Sequence, residues 1–555
     1  MKTLITLFVT VLLFFSIAAQ NDICQIDLPS TRVAAYALGE QVQFTFEYTI
    51  DEPGGARIFA RPFTNGNLTP GYGASGSPIY AGNGTGSAFF TINSGQVEVD
   101  EIRFIITTAD QSTTLREFYI PVTYHFGENG VNNFSFSQSQ EIGSLLLGEQ
   151  VNITFDYNIS HPGGTRIFVR PFTDGNLTPG YGASGSPIFS GTGTQTVNFT
   201  INSGKNVRVD ALRVTILNES QSQTLSTFFI PVNWYWSTVK ITNFQAIGGN
   251  YFANGDNVTI EYDYATTEPA GARIFPRPFT NDGLTPGYAA CGSGVYTGSG
   301  SSDCNFTING ANRRVDHIRF QATNPDQTEV LLEMLQPTDL FFGNVLIENL
   351  VTCPPSPARL LHGEHVNGYF DYTNNESESG RFFFRPATNG NLTPGYAAAG
   401  SPSYPVGSNS GDSYFTINSG NVVVDQIHFL LTNNSQSEDW GTYRFDVHYE
   451  FGPAMVSAND ELTVLSPEGL EWQMAPNPAH LQTTLYLQSN HSETANIVIM
   501  DAYGKVLQQL NKLYLPEGQE VQHTLDLEKL SLPSGLYLIQ LRGETFQSTQ
   551  KLMVQ

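Results

Sequence analysis

Stretches of strict alternation recur along the chain. In the first, Val42, Phe44, Phe46 and Tyr48 alternate with Gln41, Gln43, Thr45 and Glu47. A hydrophobic period of two predicts a strand with one face buried and one in water. The same pattern returns at Val151, Ile153, Phe155, Tyr157, at Val258, Ile260, Tyr262, Tyr264, and more loosely at Val366, Gly368, Phe370, Tyr372. Each copy continues into further strand patterns. In the first these are Val99–Thr107, with Ile102, Phe104 and Ile106 on one face, and Phe118–Phe126, with Phe118, Ile120, Val122 and Tyr124 on one face.

Between these runs lies Arg57–Tyr80, RIFARPFTNGNLTPGYGASGSPIY, with near-copies at Arg166–Phe189, Arg273–Tyr296 and Arg381–Tyr404. Its tyrosine recurs at Tyr72, Tyr181, Tyr288 and Tyr396, at intervals of 109, 107 and 108 residues. That period is the size of a small domain and too long for a solenoid repeat. Six or seven strands per copy, with turns every ten residues or so and no helical stripe, predict an all-β fold: a tandem array of four β-sandwich modules. In architecture they resemble immunoglobulin or fibronectin type III modules, without a Cys…Trp…Cys framework. The boundaries read as 1–19 for a signal peptide, modules at 24–127, 131–236, 238–342 and 345–452, a linker at 453–464 and a distinct domain at 465–555. The short inter-module connections predict an extended row with limited bending.

Composition narrows the class. A hydrophobic content of 40%, with 52 Gly and 30 Pro, fits short strands and turns. A net charge of −25 argues against a nucleic-acid partner and favours solubility, or calcium. Lys2, the apolar Leu4–Phe15 and the small Ser16–Ala19 read as a secretory signal. No later run approaches the roughly 18 apolar residues of a membrane span, so no integral membrane segment is expected. Cys24 lacks the preceding small residue of a lipidation site. Cys291 and Cys304 bracket a glycine-rich loop and are expected to form a local disulfide, whereas Cys24 and Cys353 could pair only if the first and fourth modules touched, and free thiols are expected there.

The last domain carries Pro476, Asn477, Pro478, then Asp501, Gly504, Lys505, then Gly535 and Tyr537, and finally Lys551. This order closely resembles the C-terminal sorting domain of the type IX secretion system. The resemblance implies a small seven-strand sandwich, export across an outer membrane with the secretion machinery as partner, and release or attachment at the cell surface.

The most uniform feature of the modules is Arg-x-Phe-x-Arg, at Arg57, Phe59, Arg61; Arg166, Phe168, Arg170; Arg273, Phe275, Arg277; and Arg381, Phe383, Arg385. On a strand these side chains share a face. Eight of 19 arginines lie here, while only Lys205 and Lys240 occur between Gln20 and Leu465, so the guanidinium fork is what the repeats retain. One reading makes them anchors, paired with the equally repeated Asp100, Asp210, Asp316 and Asp425 and with loop carbonyls. The other makes them, with Tyr72, Tyr181, Tyr288 and Tyr396, a stripe that binds glycans. The loop Thr64–Tyr72 reads either as a rigid connection whose Leu68 and Tyr72 plug the sandwich or as a sugar or calcium site, and it has few of the carboxylates that calcium prefers. Histidines fall at no metal-ligand spacing and no nucleophile motif is present, so no enzyme activity and no cofactor are expected. The sequence supports a non-enzymatic surface array for adhesion or spacing, with glycans or cell-surface and matrix components as partners. The alternative is a carbohydrate-binding array for polysaccharide capture.

Overall fold

The computed structural model describes residues 21–453, apart from 30 and 311, and most of 470–554. The signal sequence lies outside the described residues. No helix among those described is long and apolar enough to cross a membrane. The chain divides into two compact units, Met1–Ala454 and Met455–Gln555.

In the first module, β1 (Asn21–Asp27), β2 (Val33–Ala37), β3 (Gln41–Ile50), β4 (Ala56–Thr64), β5 (Asn67–Leu68), β6 (Tyr72–Ala74), β7 (Gly82–Ile92), β8 (Val97–Thr108) and β9 (Thr114–Gly127) form two sheets, ordered β1-β3-β7-β6 and β2-β9-β8-β4-β5. The opening segment serves both: β1 pairs antiparallel with β3, while β2 runs parallel to β9. The alternating residues of β3 do bury one face, with Val42, Phe44 and Phe46 in the core. Phe44 and Phe46 meet Phe104 edge-on and Phe104 stacks on Phe118. The other three modules repeat this pairing, strand for strand. The fold is therefore an all-β array of immunoglobulin-like sandwiches.

The array is not an extended row. In every copy the parallel β2-type strand covers only the end of the β9-type strand, which leaves the hydrogen-bonding edge of its first half to be satisfied elsewhere. In the first, third and fourth copies another module supplies the cover. Ser237 of the second module donates to the Leu331 carbonyl of the third (2.6 Å) and Asn206 accepts from the Glu333 amide (2.9 Å). Arg314 of the third donates to the Arg444 carbonyl of the fourth (2.5 Å), and Asn312 to that of Trp440 (2.8 Å). β2 also pairs at Ala35 with Val131 of β10 (Asn129–Phe136), the first strand of the second module. The approach at Gly130 is so close that a Cβ there would lie 2.7 Å from the Glu40 carboxylate.

For the first module the covering neighbour is the fourth. Strand Ala358–Leu361 pairs antiparallel with β9 at Tyr119 and Phe118, and the apolar cores of these two modules merge into one buried cluster, whereas the second and third have clusters of their own. Cys24 and Cys353 are joined by a disulfide across 329 residues of chain, which overturns the expectation of free thiols. The short linkers bend enough to close the array because each interface satisfies a strand edge.

Polar groups buried at this closure are matched. Asp22, fully buried, pairs with Arg116 and accepts from Asn367 Nδ2 (2.8 Å) and the Tyr369 hydroxyl (2.9 Å). Arg116 also donates to the carbonyls of Cys353 and His365, both at 2.7 Å. Arg359 grips Glu101 with both ends of its fork (2.5 and 2.7 Å) while its guanidinium lies 3.8 Å over the Tyr119 ring.

The second unit contains eight strands among the described residues, one more than the resemblance implies. Three (Leu470–Ala475, Gln482–Ser489, Glu520–Asp526) form one sheet and the other five form a second, around Leu485, Leu487, Ile497, Ile499, Ile539 and Leu541.

Breaking a buried pair strands a charge, at a cost of about 3–5 kcal/mol. Arg116→Met in reduced protein is expected to raise the thiol-labelling rate of Cys353 by roughly a hundredfold or more, with circular dichroism unchanged. An unchanged labelling rate would remove Arg116 from the closure.

Candidate functional site

Strand β4 positions the repeated arginines as the alternation requires, with Ile58 and Ala60 in the core and Arg57, Phe59 and Arg61 on the outer, half-buried face. Their partners are mostly backbone carbonyls. Arg57 donates from Nε to Ala109 O (2.8 Å) and from its fork to Ser77 O (2.5 Å), and the Ser77 hydroxyl accepts from the Ile58 amide (2.8 Å). Arg166 reaches Glu219 O and Ser186 O, Arg273 reaches Pro325 O and Ser293 O, and Arg381 reaches Asn434 O and Ser401 O. The serine of this clamp was not singled out in the sequence, although Gly-Ser recurs at Ser77, Ser186, Ser293 and Ser401.

The second arginine of each motif folds back on its own strand. Arg61 donates to Ala60 O (2.8 Å) and Ser75 O (3.2 Å) and lies 5.1 Å over Phe59. Arg170 over Phe168, Arg277 over Phe275 and Arg385 over Phe383 repeat this geometry. Burial pulls the Arg61 guanidinium below its ordinary range, and the Tyr72 hydroxyl beside it opposes the shift. Tyr181, Tyr288 and Tyr396 stand in the same relation to their arginines.

The repeated aspartates do not pair with these arginines, which corrects half of the anchor reading. Asp100 Oδ2 accepts instead from the Asn65 amide, and Asp210, Asp316 and Asp425 accept from Asp174, Asn281 and Asn389, each at 2.7 Å. Those residues open the tight hairpin after the arginine strand at φ of 49–51°, a left-handed conformation that Asn and Asp tolerate. The leucine plug is not a shared feature: Leu68 is half-buried, whereas Leu177, Leu284 and Leu392 are exposed. The buried residue is the following threonine. Thr69, Thr178, Thr285 and Thr393 are at most 1% exposed, and each bonds the threonine five residues earlier at 2.9 Å.

The arginine row varies on neighbouring strands. Arg61 lies in register with Arg103, Arg170 with Arg213, Arg277 with Arg319 and Arg385 with His428. His428 is buried beside Arg444, and burial first, the neighbouring cation second, push it down to about 4. Among the described residues no cluster of three His, Cys, Asp or Glu could hold a metal. Cys291 and Cys304 are bonded, with Cα atoms 5.6 Å apart.

In the full chain, Arg57→Ala is expected to speed amide exchange in Ser75–Tyr80 at least tenfold and leave the Asn65 amide protected, while Asp100→Ala does the reverse. Coincident footprints would restore an Arg–Asp unit. The depressed His428 value means that the unfolded state binds the proton first, so stability present above pH 6.5 is lost as pH falls towards 4. His428→Gln should flatten thermal melts across that window, and an unchanged slope would contradict it.

In the C-terminal unit, Pro476–Pro478, Gly504 and Lys505 lie outside the described residues. Asp501, Gly535 and Lys551 fall in strands, and Tyr537 is buried in the core. Residues 473–555 match the family described as secretion system C-terminal sorting domain. No curated protein matches the chain. Among solved structures, Escherichia coli alpha-2-macroglobulin activated by porcine elastase aligns at 10% identity over 97% of this chain and 53% of its own, with a TM-score of 0.18. Surface layer protein SbsC, domains 4–9, aligns at 12% over 96% and 82% (TM-score 0.15). The N-terminal eight Ig domains of Down Syndrome Cell Adhesion Molecule align at 11% over 94% and 58% (TM-score 0.18). This chain thus spans about half the length of the macroglobulin. Scores this low leave the fold to be read from the strand pairing, and what the comparisons identify is the tail: residues 473–555 are a type IX secretion C-terminal sorting domain, which marks the chain for export.

Proposed function

We propose that the exported chain is a non-enzymatic scaffold of four closed-up modules that acts in attachment at the outer cell surface. The observation that carries this reading is the covalent and hydrogen-bonded closure of the first module on the fourth, behind a sorting domain. A closed array spans less distance than a row of the same modules, so the spacer reading loses ground to a rigid platform. Arg57 and Arg61 donate to backbone carbonyls of their own module, which suits a framework. Deleting the gene should reduce surface attachment and biofilm formation, restored by the full chain and not by one ending near Asp460, which should fold and stay in the periplasm. Unchanged attachment in the deletion strain would sink the proposal, and secretion of the truncated chain would sink the role of the tail.

A second reading, polysaccharide capture, draws on one specific observation: Phe229 lies exposed on the outer sheet of the second module, edge-on to Phe172 at 5.3 Å.

A further inference from the structure

The outer face of the first module's second sheet contains a socket for a cation. Phe63 and Tyr119 meet edge-to-face at 5.4 Å, Arg103 lies 4.7 Å over Phe63, and the fourth module seats Arg359 on Tyr119 and against Glu101. The second module builds the same socket from Phe172, Phe229 and Arg213, with Arg213 again 4.7 Å over the phenylalanine. Arg103 pairs in register with Tyr119, and Arg213 with Phe229, so the two sets occupy equivalent places.

Two differences set the second socket apart. Its second ring is open, with Phe229 46% exposed against 3% for Tyr119. The carboxylate is gone, since Ala211 stands in register with Phe172 where Glu101 stands in register with Phe63. Arg213 continues the row begun by Arg170, which sits directly across from it on the neighbouring strand. None of the residues 166–172, 211–215 or 227–229 is acidic, in a chain with 51 acidic residues.

Removing the carboxylate while keeping the arginine inverts the preference of the socket. The Arg213 guanidinium over its ring, with the charge of Arg170 beside it, now favours an anion, and the open aromatic favours a flat apolar surface next to it. A carboxylate-bearing sugar ring offers both. We propose that this face of the second module binds a uronic-acid polysaccharide, with Phe229 stacking on a sugar face and the Arg213 fork taking the uronate. The proposal rests on the capture reading and narrows it to one module and one ligand class. In the first module Arg359 already fills the equivalent face, and in the fourth Ala387 replaces the phenylalanine.

Affinity electrophoresis of the full exported chain in gels containing polygalacturonate or neutral amylose provides the test. The expected result is retardation by polygalacturonate alone, about tenfold weaker for Phe229→Ala and for Arg213→Lys, with melting curves unchanged. Phe63→Ala, in the filled socket, should leave retardation unaltered. Retardation that persists in both second-module variants would overturn the site while leaving capture standing. Equal retardation by amylose would overturn the role of charge, and none by either polymer would overturn the proposal.

Discussion

A buried carboxylate, Asp22, ties the first strand of the chain to a module more than three hundred residues away. It has an arginine from its own module and an amide and a phenol from the fourth. Of these partners, Arg116 sits on β9, the strand whose edge the fourth module covers, while Asn367 and Tyr369 sit on a central strand of that module. The closure is thus the solution to an edge problem that recurs four times. A β9-type strand too long for its own parallel partner exposes backbone donors and acceptors, and in the first, third and fourth modules the sandwich before it in the cycle supplies the cover. The disulfide beside Asp22 then removes the open states from the ensemble. For a loop of this size the chain-entropy rule gives on the order of 5 kcal/mol.

Division of labour among the arginines follows from burial. The strand-borne pair in each motif turns inward to the backbone and holds the long loop to the sheet, whereas Arg116, Arg314 and Arg359 cross between modules. Lysine could not replace either set, because a single ammonium does not present two parallel donors to a carboxylate or reach two carbonyls at fixed angles. The four copies therefore share an internal framework and differ where they meet. Glu101 and Tyr119 occur only in the first module, where Arg359 lands, and Ala211 and Phe229 replace them in the second.

Much of the module was legible in the sequence because its signals are local. Alternation fixed the buried faces of the β3-type strands. The tail was readable from four short motifs in order. The arginine–aspartate pairing was misread because sequence shows which groups recur together and not which backbone atom competes for them. Ser77 and Thr69 went unnoticed since small hydroxyl residues in a glycine-rich loop look like solvent-exposed turn formers. The closure was invisible for a different reason. Linker length bounds how far neighbours can separate, and it says nothing about a contact between the ends of the array. Only Cys24 and Cys353, each without a counterpart in the other modules, hinted at it.

The most direct test of the closed array is peptide mapping of the exported protein, digested without reduction at a mass confirmed as monomeric. The expected result is one cross-linked peptide containing Cys24 and Cys353 and a second containing Cys291 and Cys304. Cys24 and Cys353 recovered as free thiols, or linked only between chains, would contradict it.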